Sequence, residues 1–374
     1  LPLTASRRHP RDGSLMPAIA VALLAVTAAL ALVLDRLWLD AARVELNAAA
    51  EASALAAAQI LACDERLRPR HRTNWLARLE EARKAAAGIA AENFVAGDPV
   101  VLDLAPGGDV QFGRLMRRGD GHIEFIETGE APTSVLVTAH RTRSRRNPIA
   151  LFMRGATGQG SGDVICRVEA TIDNRVIGVR PFDGALVPAL PLAILGDSAG
   201  QQTDRFAYDA ESGRILTVPD GLPEIVLISR RRDATAAESN VRLLDVGTGL
   251  RHDRLRRQLH TGWTAEHLAA FGGELRFDRG PVALRGTATI HRNTADALAG
   301  LVGTLRMCLL SGEISATGVV RCTGLLAGRI MSVRLLDDGA CEIVLQPGVM
   351  TTRTAIVAEA APRHPYVYKL YVSY

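Results

Sequence analysis

Residues 15–34, LMPAIAVALLAVTAALALVL, run for twenty positions without a charged side chain, and no second run in the chain does so. A helix of this length covers about 30 Å at 1.5 Å per residue, the thickness of a bilayer's hydrocarbon core. Pro17 falls in the first turn, where a missing N–H removes no intrahelical bond. The stretch reads as one transmembrane helix in contact with the membrane lipid bilayer. A buried Ala-rich core helix is one rival. A cleaved signal peptide is another, with Arg7, Arg8 and Arg11 as its basic region and Ala29 and Ala31 as small residues near a cleavage site. Against cleavage, the run passes into Asp35-Arg36-Leu37-Trp38-Leu39-Asp40 with no helix breaker. Trp38 stands where an interfacial aromatic anchor belongs.

The flanks set the expected orientation. Three arginines precede the span and charges of both signs follow it, so the tail 1–14 is expected in the cytoplasm and the bulk of the chain on the far side of the cytoplasmic membrane. The chain opens on Leu1 rather than Met, so it reads as a fragment, as the product of an unusual start codon, or as a chain starting at Met16. The last reading would remove the arginines.

Helical periodicity continues beyond the membrane. Leu37, Ala41, Val44, Ala48, Ala52 and Leu55 recur at spacings of three or four, and neither Gly nor Pro interrupts the pattern before Pro69. One helix from Leu15 to Leu61 is expected, about 70 Å long. Ala41, Val44, Ala48, Ala52 and Leu55 are expected to form a small-residue stripe for a partner helix. The segment from Thr73 through Ala91 opens with a capping residue and supplies that partner, which makes 35–95 a helical stalk folded as a hairpin. Packing against another copy, a homo-oligomer, is the alternative.

From Pro99 the period becomes alternating. Strands are expected at Val100–Leu104, Val110–Leu115, His122–Glu127, Ser134–Arg141, Pro148–Arg154 and Val164–Asp173, forming a first β-rich domain over 96–180. A Pro-rich connector, 181–200, leads to a second α+β domain over 201–374. In it, strands are expected at Glu224–Ser229 and Val241–Val246 and helices near Asp253–His260, Thr264–Phe271 and Thr294–Val302. A hairpin is expected at Asp338-Gly339. The fold class is therefore α+β, with two β-containing modules outside the membrane.

Composition narrows the function. The net charge is only +4 over 374 residues and aromatics are 4%, too little for a polyanion-binding, base-stacking surface, so no nucleic acid partner is expected. The clusters Arg141–Arg146 and Arg230–Arg232 read as solvated loops. Five cysteines, Cys63, Cys166, Cys308, Cys322 and Cys341, include no Cys-x-x-Cys, so no zinc module is implied and at most two disulfides could form. His252, His260 and His267 fit no zinc signature. Gly196-Asp197-Ser198-Ala199-Gly200 matches Gly-x-Ser-x-Gly and follows an apolar run, but Gln201 onward is turn-rich rather than helical and no His-Gly-Gly-Gly segment precedes it. A serine hydrolase using Ser198 is thus the alternative to a non-enzymatic protein, and no catalytic, cofactor-binding or metal residue is assigned.

Arg7-Arg8, the apolar run, and Leu37-Trp38-Leu39-Asp40 through Leu46-Asn47-Ala48-Ala49-Ala50-Glu51-Ala52 resemble the N-terminal region of TadG-like Flp (Tad) pilus-assembly proteins. Asp109–Arg114, Val135–Ala139 and Asn147–Phe152 are similar to the usual continuation. The resemblance implies an anchored component of pilus assembly or surface attachment, with other pilus-assembly or envelope proteins as partners. It stops short of two family features. No Asp-x-Ser-x-Ser metal motif of a von Willebrand type A domain occurs, and the fifth residue after Gly13 is Ala18 rather than the Glu of a prepilin cleavage site.

Overall fold

The structure is a computed structural model and describes residues 15–69, 73–119, 122–196, 202–230, 239–314 and 318–373. It is α+β, with one long apolar N-terminal helix and several β-sheets. Helix α1, Met16–Leu61, is unbroken over 46 residues. Its first turns, as far as Leu30, are almost wholly exposed. Its second half is the centre of the first core, where Ala42, Leu46, Ala49, Ala50, Ala54, Ala57, Ala58 and Leu61 are buried.

Helix α2, Trp75–Glu92, folds back on α1 after a short connection. The Asn74 side chain, not Thr73, caps it by accepting from the Ala77 N–H at 3.2 Å. Leu79, Ala82, Ala86 and Ala90 lie on one face and are all buried. With alanines on both surfaces the two backbones can approach closely, and the contact is made of many small dispersion terms.

The opposite flank of α1 lies on a six-stranded sheet. From edge to edge its strands are Met350–Thr351, Val367–Ser373, Val164–Asp173, Ser134–Arg141, Val110–Arg117 and Ile123–Glu127. Val110, Phe112, Val135, Val137, Ala139, Cys166, Val168 and Ala170 alternate into the core shared with α1. Val367–Ser373 pairs antiparallel with Val164–Asp173, so the end of the chain, assigned from sequence to the second module, supplies a strand of the first sheet. The expected strand at 100–104 does not form. Pro148–Arg154 contains only Ile149–Ala150 as strand, followed by a single helical turn, α3, Arg154–Thr157.

The distal module is built around a closed barrel. Ala189–Leu195 pairs antiparallel with Val241–Leu244, which pairs with Val282–Thr287, which pairs with Val319–Leu335. That last strand pairs with Leu305–Ile314, which returns in parallel to Ala189–Leu195. Ala189, Ala193, Leu244, Leu284, Met307, Leu309, Val320 and Cys322 fill the inner core. The alternate residues, Leu190, Leu192, Ile194, Val241, Leu243 and Cys308, pack outward with helices α4, His252–Thr261, and α5, Arg292–Ala299. Burial on both faces explains the unbroken apolar run ALPLAIL, and places a core strand inside the stretch expected to be a connector. The far half of Val319–Leu335 turns through Asp338-Gly339, with Gly339 at φ +83°, into Cys341–Pro347. The helix expected at Thr264–Phe271 is reduced to a 3₁₀ turn, Ala269–Phe271. The Thr264 and His267 side chains close a local turn on each other's N–H groups, and Gly272 and Gly273 end it at positive φ.

The segment after α1 reaches the distal module where Arg68 binds the Asp220 carbonyl, while Asp64 accepts from the Val349 N–H at 2.6 Å and Thr351 Oγ1 donates to Gln59 Oε1 at 2.9 Å beside the edge strand of the first sheet. Burial pushes the Asp64 carboxyl above its usual range, against the pull of the Val349 N–H and the Arg329 and Arg68 charges.

Candidate membrane interface

The apolar half of α1 is the most unusual surface of the molecule. It is the one helix among the described residues long and apolar enough to cross a membrane, with a window of mean hydropathy 2.6 that is 6% buried. Ile19, Val21, Leu23, Leu24, Val26, Leu30 and Leu32 project from it on all sides. Burial of that order argues against a soluble core helix, whose apolar surface would be covered by its own chain. Pro17 occupies the first turn, as expected. Arg7, Arg8, Arg11 and Gly13 lie outside the described residues.

A collar of contacts covers one face of α1 where the uncharged run ends. The segment Ile149–Ala150 and Ser161–Gly162 form a small antiparallel hairpin whose tip, 151–160, carries α3. Trp38 Nε1 donates to the Ala150 carbonyl at 3.1 Å, and the Trp38 and Phe152 rings are 4.8 Å apart at 53°. Asp35, buried although it borders the apolar run, accepts from the N–H groups of Phe152 at 3.0 Å and Met153 at 3.2 Å through Oδ1. Its Oδ2 has no hydrogen-bond partner among the described residues. A Cβ on Gly162 would stand 2.6 Å from Leu39 Cδ2, so a side chain there would require Leu39 to shift. Trp38 is therefore half-buried against the hairpin.

The predicted packing stripe is displaced by about one residue. Ala41, Val44 and Ala48 are exposed, Ala52 is half-buried, and Leu55 rests at the margin of the core, while Ala42, Leu46, Ala49 and Ala50 make the close contacts. The sequence offered alanine on several faces of the helix at once, so spacing alone did not select the buried one. The outer half of α1 is correspondingly the core of a globular head instead of a projecting stalk.

The cluster from Arg141 to Arg146 is more than a solvated loop. Arg141 is buried and bonds the Asp98 carboxylate at 2.7 Å and the Asn147 carbonyl at 2.9 Å. Arg145 reaches Asp109 at 2.7 Å, and Arg143 binds Ser161 and Asp163. All five cysteines are free. Burial pushes the Cys308 and Cys322 thiols up to about 12 and Cys341 up to about 11, which keeps them protonated and unreactive. No group of three or more His, Cys, Asp and Glu among the described residues could hold a metal ion. His252 and His260 line a surface groove between α4 and α5 with Arg256 and Asp296, while His267 is spent on the Thr264 turn. Ser198 lies outside the described residues, as do Arg231 and Arg232. Compared with known proteins, the chain matches no family model, no curated protein and no solved structure.

Proposed function

We propose that this chain is a single-pass membrane protein that presents two extracytoplasmic β-modules to other envelope proteins, as a non-enzymatic component of Tad/Flp-type pilus assembly or surface attachment. The observation that carries the anchoring is the apolar half of α1, almost wholly exposed from Met16 to Leu30 while its continuation is the core of a folded head. Removing such a surface from water releases about 25 cal/mol for each Å² buried, and lipid is the solvent its length fits. The pilus assignment is supported by the resemblance of 7–56 to the TadG-like N-terminal block. The proposed orientation, tail inside and modules outside, rests on Arg7, Arg8 and Arg11.

A reporter active only outside the cytoplasm, fused after Tyr374, tests the topology. Activity is expected, with a fall when the three arginines are reversed in charge. An inactive reporter on a chain whose C-terminus is reached by protease from the cytoplasmic side would end the orientation. Extraction of the mature protein with its N-terminus intact separates an anchor from a cleaved signal peptide. Crosslinking in the envelope followed by pulldown identifies partners, and pilus components are the expected catch. Labelling by a serine-directed fluorophosphonate that is lost in Ser198→Ala would instead establish the hydrolase.

A further inference from the structure

We infer that the hairpin tip 151–160 is a second membrane contact, seated in the interfacial layer beside α1, so that the head is held directly on the bilayer. The inference rests on α1 being a membrane span.

Depth along the helix places the tip. Ala31 lies inside the uncharged run, about 5 Å below Leu34 at 1.5 Å per residue, yet it is fully buried. Asp35 is one turn above it on the same face, and it is Asp35 that accepts the Phe152 and Met153 N–H groups. α3, which follows directly, packs on α1. The tip thus overlaps the last turn of the apolar run, at the boundary of hydrocarbon and headgroups. Its backbone could not remain there unsatisfied, and Asp35 and the Gly158 N–H bond to the Arg154 carbonyl supply part of what the helix and sheet ladders do not.

Side-chain character fits that depth. Phe152 is 67% exposed and turns one side to Trp38, leaving the rest of its ring uncovered at the level of the exposed Leu37. Arg154 is exposed in the next position but one, where a long cationic side chain can reach lipid phosphate. An apolar ring with a neighbouring arginine, continuous with the lipid-facing helix surface, specifies a phospholipid interface as the occupant.

The test uses the full chain in phosphatidylethanolamine/phosphatidylglycerol vesicles, with Cys63→Ser as background because the other four cysteines are buried. An environment-sensitive fluorophore is attached at Phe152→Cys, at Leu24→Cys in the span, and at Val218→Cys on the distal module. Blue-shifted emission, and its loss on adding spin-labelled lipid, are expected at 24 and 152 and not at 218. Arg154→Cys reads the same depth should loss of the Phe152 ring disturb the tip. Lipid quenching at 24 with water-like emission at both 152 and 154 would overturn this inference and leave the anchor standing. A blue shift at 152 that spin-labelled lipid does not quench would mean that protein covers the tip, and would overturn it too. Water-like emission at 24 would remove the anchor and the inference together.

Discussion

Asp35 and Phe152 are 117 positions apart, yet the Asp35 carboxylate accepts the Phe152 N–H at 3.0 Å. One carboxylate at the end of an uncharged run thereby ties the folded head to the helix that carries it. Asp35→Leu should leave the N–H groups of Phe152 and Met153 without this acceptor, at about 1–3 kcal/mol for each group that stays buried, whereas Asp35→Asn retains an acceptor and should lose much less. Hydrogen exchange at 149–162 is the measurement, with protection expected to fall sharply in the leucine variant alone.

Trp38 makes the companion contact. Trp38→Phe keeps a ring against Phe152 but loses the donor to the Ala150 carbonyl, and should destabilise the collar by about 1 kcal/mol. Trp38→Ala loses the ring packing as well and should cost more. Limited proteolysis within 151–160 should rank the chains wild type, Trp38→Phe, Trp38→Ala in increasing susceptibility. Equal susceptibility of all three would show that the ring and its N–H do not hold the hairpin.

The packing stripe gives a comparison that controls for helix propensity, because leucine is a good helix former at every position. Ala54→Leu places a bulky group in the fully buried face of α1 and should cost about 1–3 kcal/mol by overpacking. Ala48→Leu, on the exposed face, should leave thermal stability of the head nearly unchanged. If instead Ala48→Leu abolishes co-purification of partners while the fold survives, the exposed Ala41, Val44 and Ala48 face is an intermolecular contact.

Acid sensitivity is expected at the joint between the modules. His364 Nδ1 accepts from the N–H groups of Tyr366 at 3.1 Å and Val367 at 3.0 Å, so the proton sits on Nε2 and is donated to the Leu325 carbonyl at 2.7 Å. Burial lowers its pKa below the ordinary 6.5, against a smaller opposing effect of the Leu325 bond. The unfolded chain then binds the proton more readily than the folded one. The stability due to neutral His364 is full above pH 6.5 and is lost as pH falls through the lowered folded value. His267 is shifted in the same direction, again by burial first. The unfolding midpoint in denaturant should fall on acidification below pH 6.5, and His364→Gln should flatten that slope. An unchanged slope in the variant would assign the acid sensitivity elsewhere.

Several features were legible because they are local. The unbroken helix to Leu61, the Ser134–Arg141 and Val164–Asp173 strands and the Asp338-Gly339 turn each follow from periodicity or turn chemistry within about twenty residues. The site was legible in part. The uncharged run identified the candidate span, but nothing around Trp38 or Asp35 pointed to residues 150–153, and Gly162 looked like any loop glycine. The strand Ala189–Leu195 was visible as an apolar run, but a run buried on both faces has no period to tell a barrel strand from a connector.

By itself the sequence determined the length of the apolar segment, the continuation of the helix beyond it and the alternation of most strands, since these depend on residue type at fixed spacing along one chain. Tertiary structure alone decided which alanine face of α1 is buried, because alanine is small enough to pack on any side and the partner surface makes the choice. It also decided that Val367–Ser373 returns to the first sheet, that five strands close into a barrel, and that Asp35 meets Phe152. Those pairings join segments separated by tens to hundreds of residues, and a partner that is a backbone N–H or C=O carries no signature in the side chains that a single sequence displays.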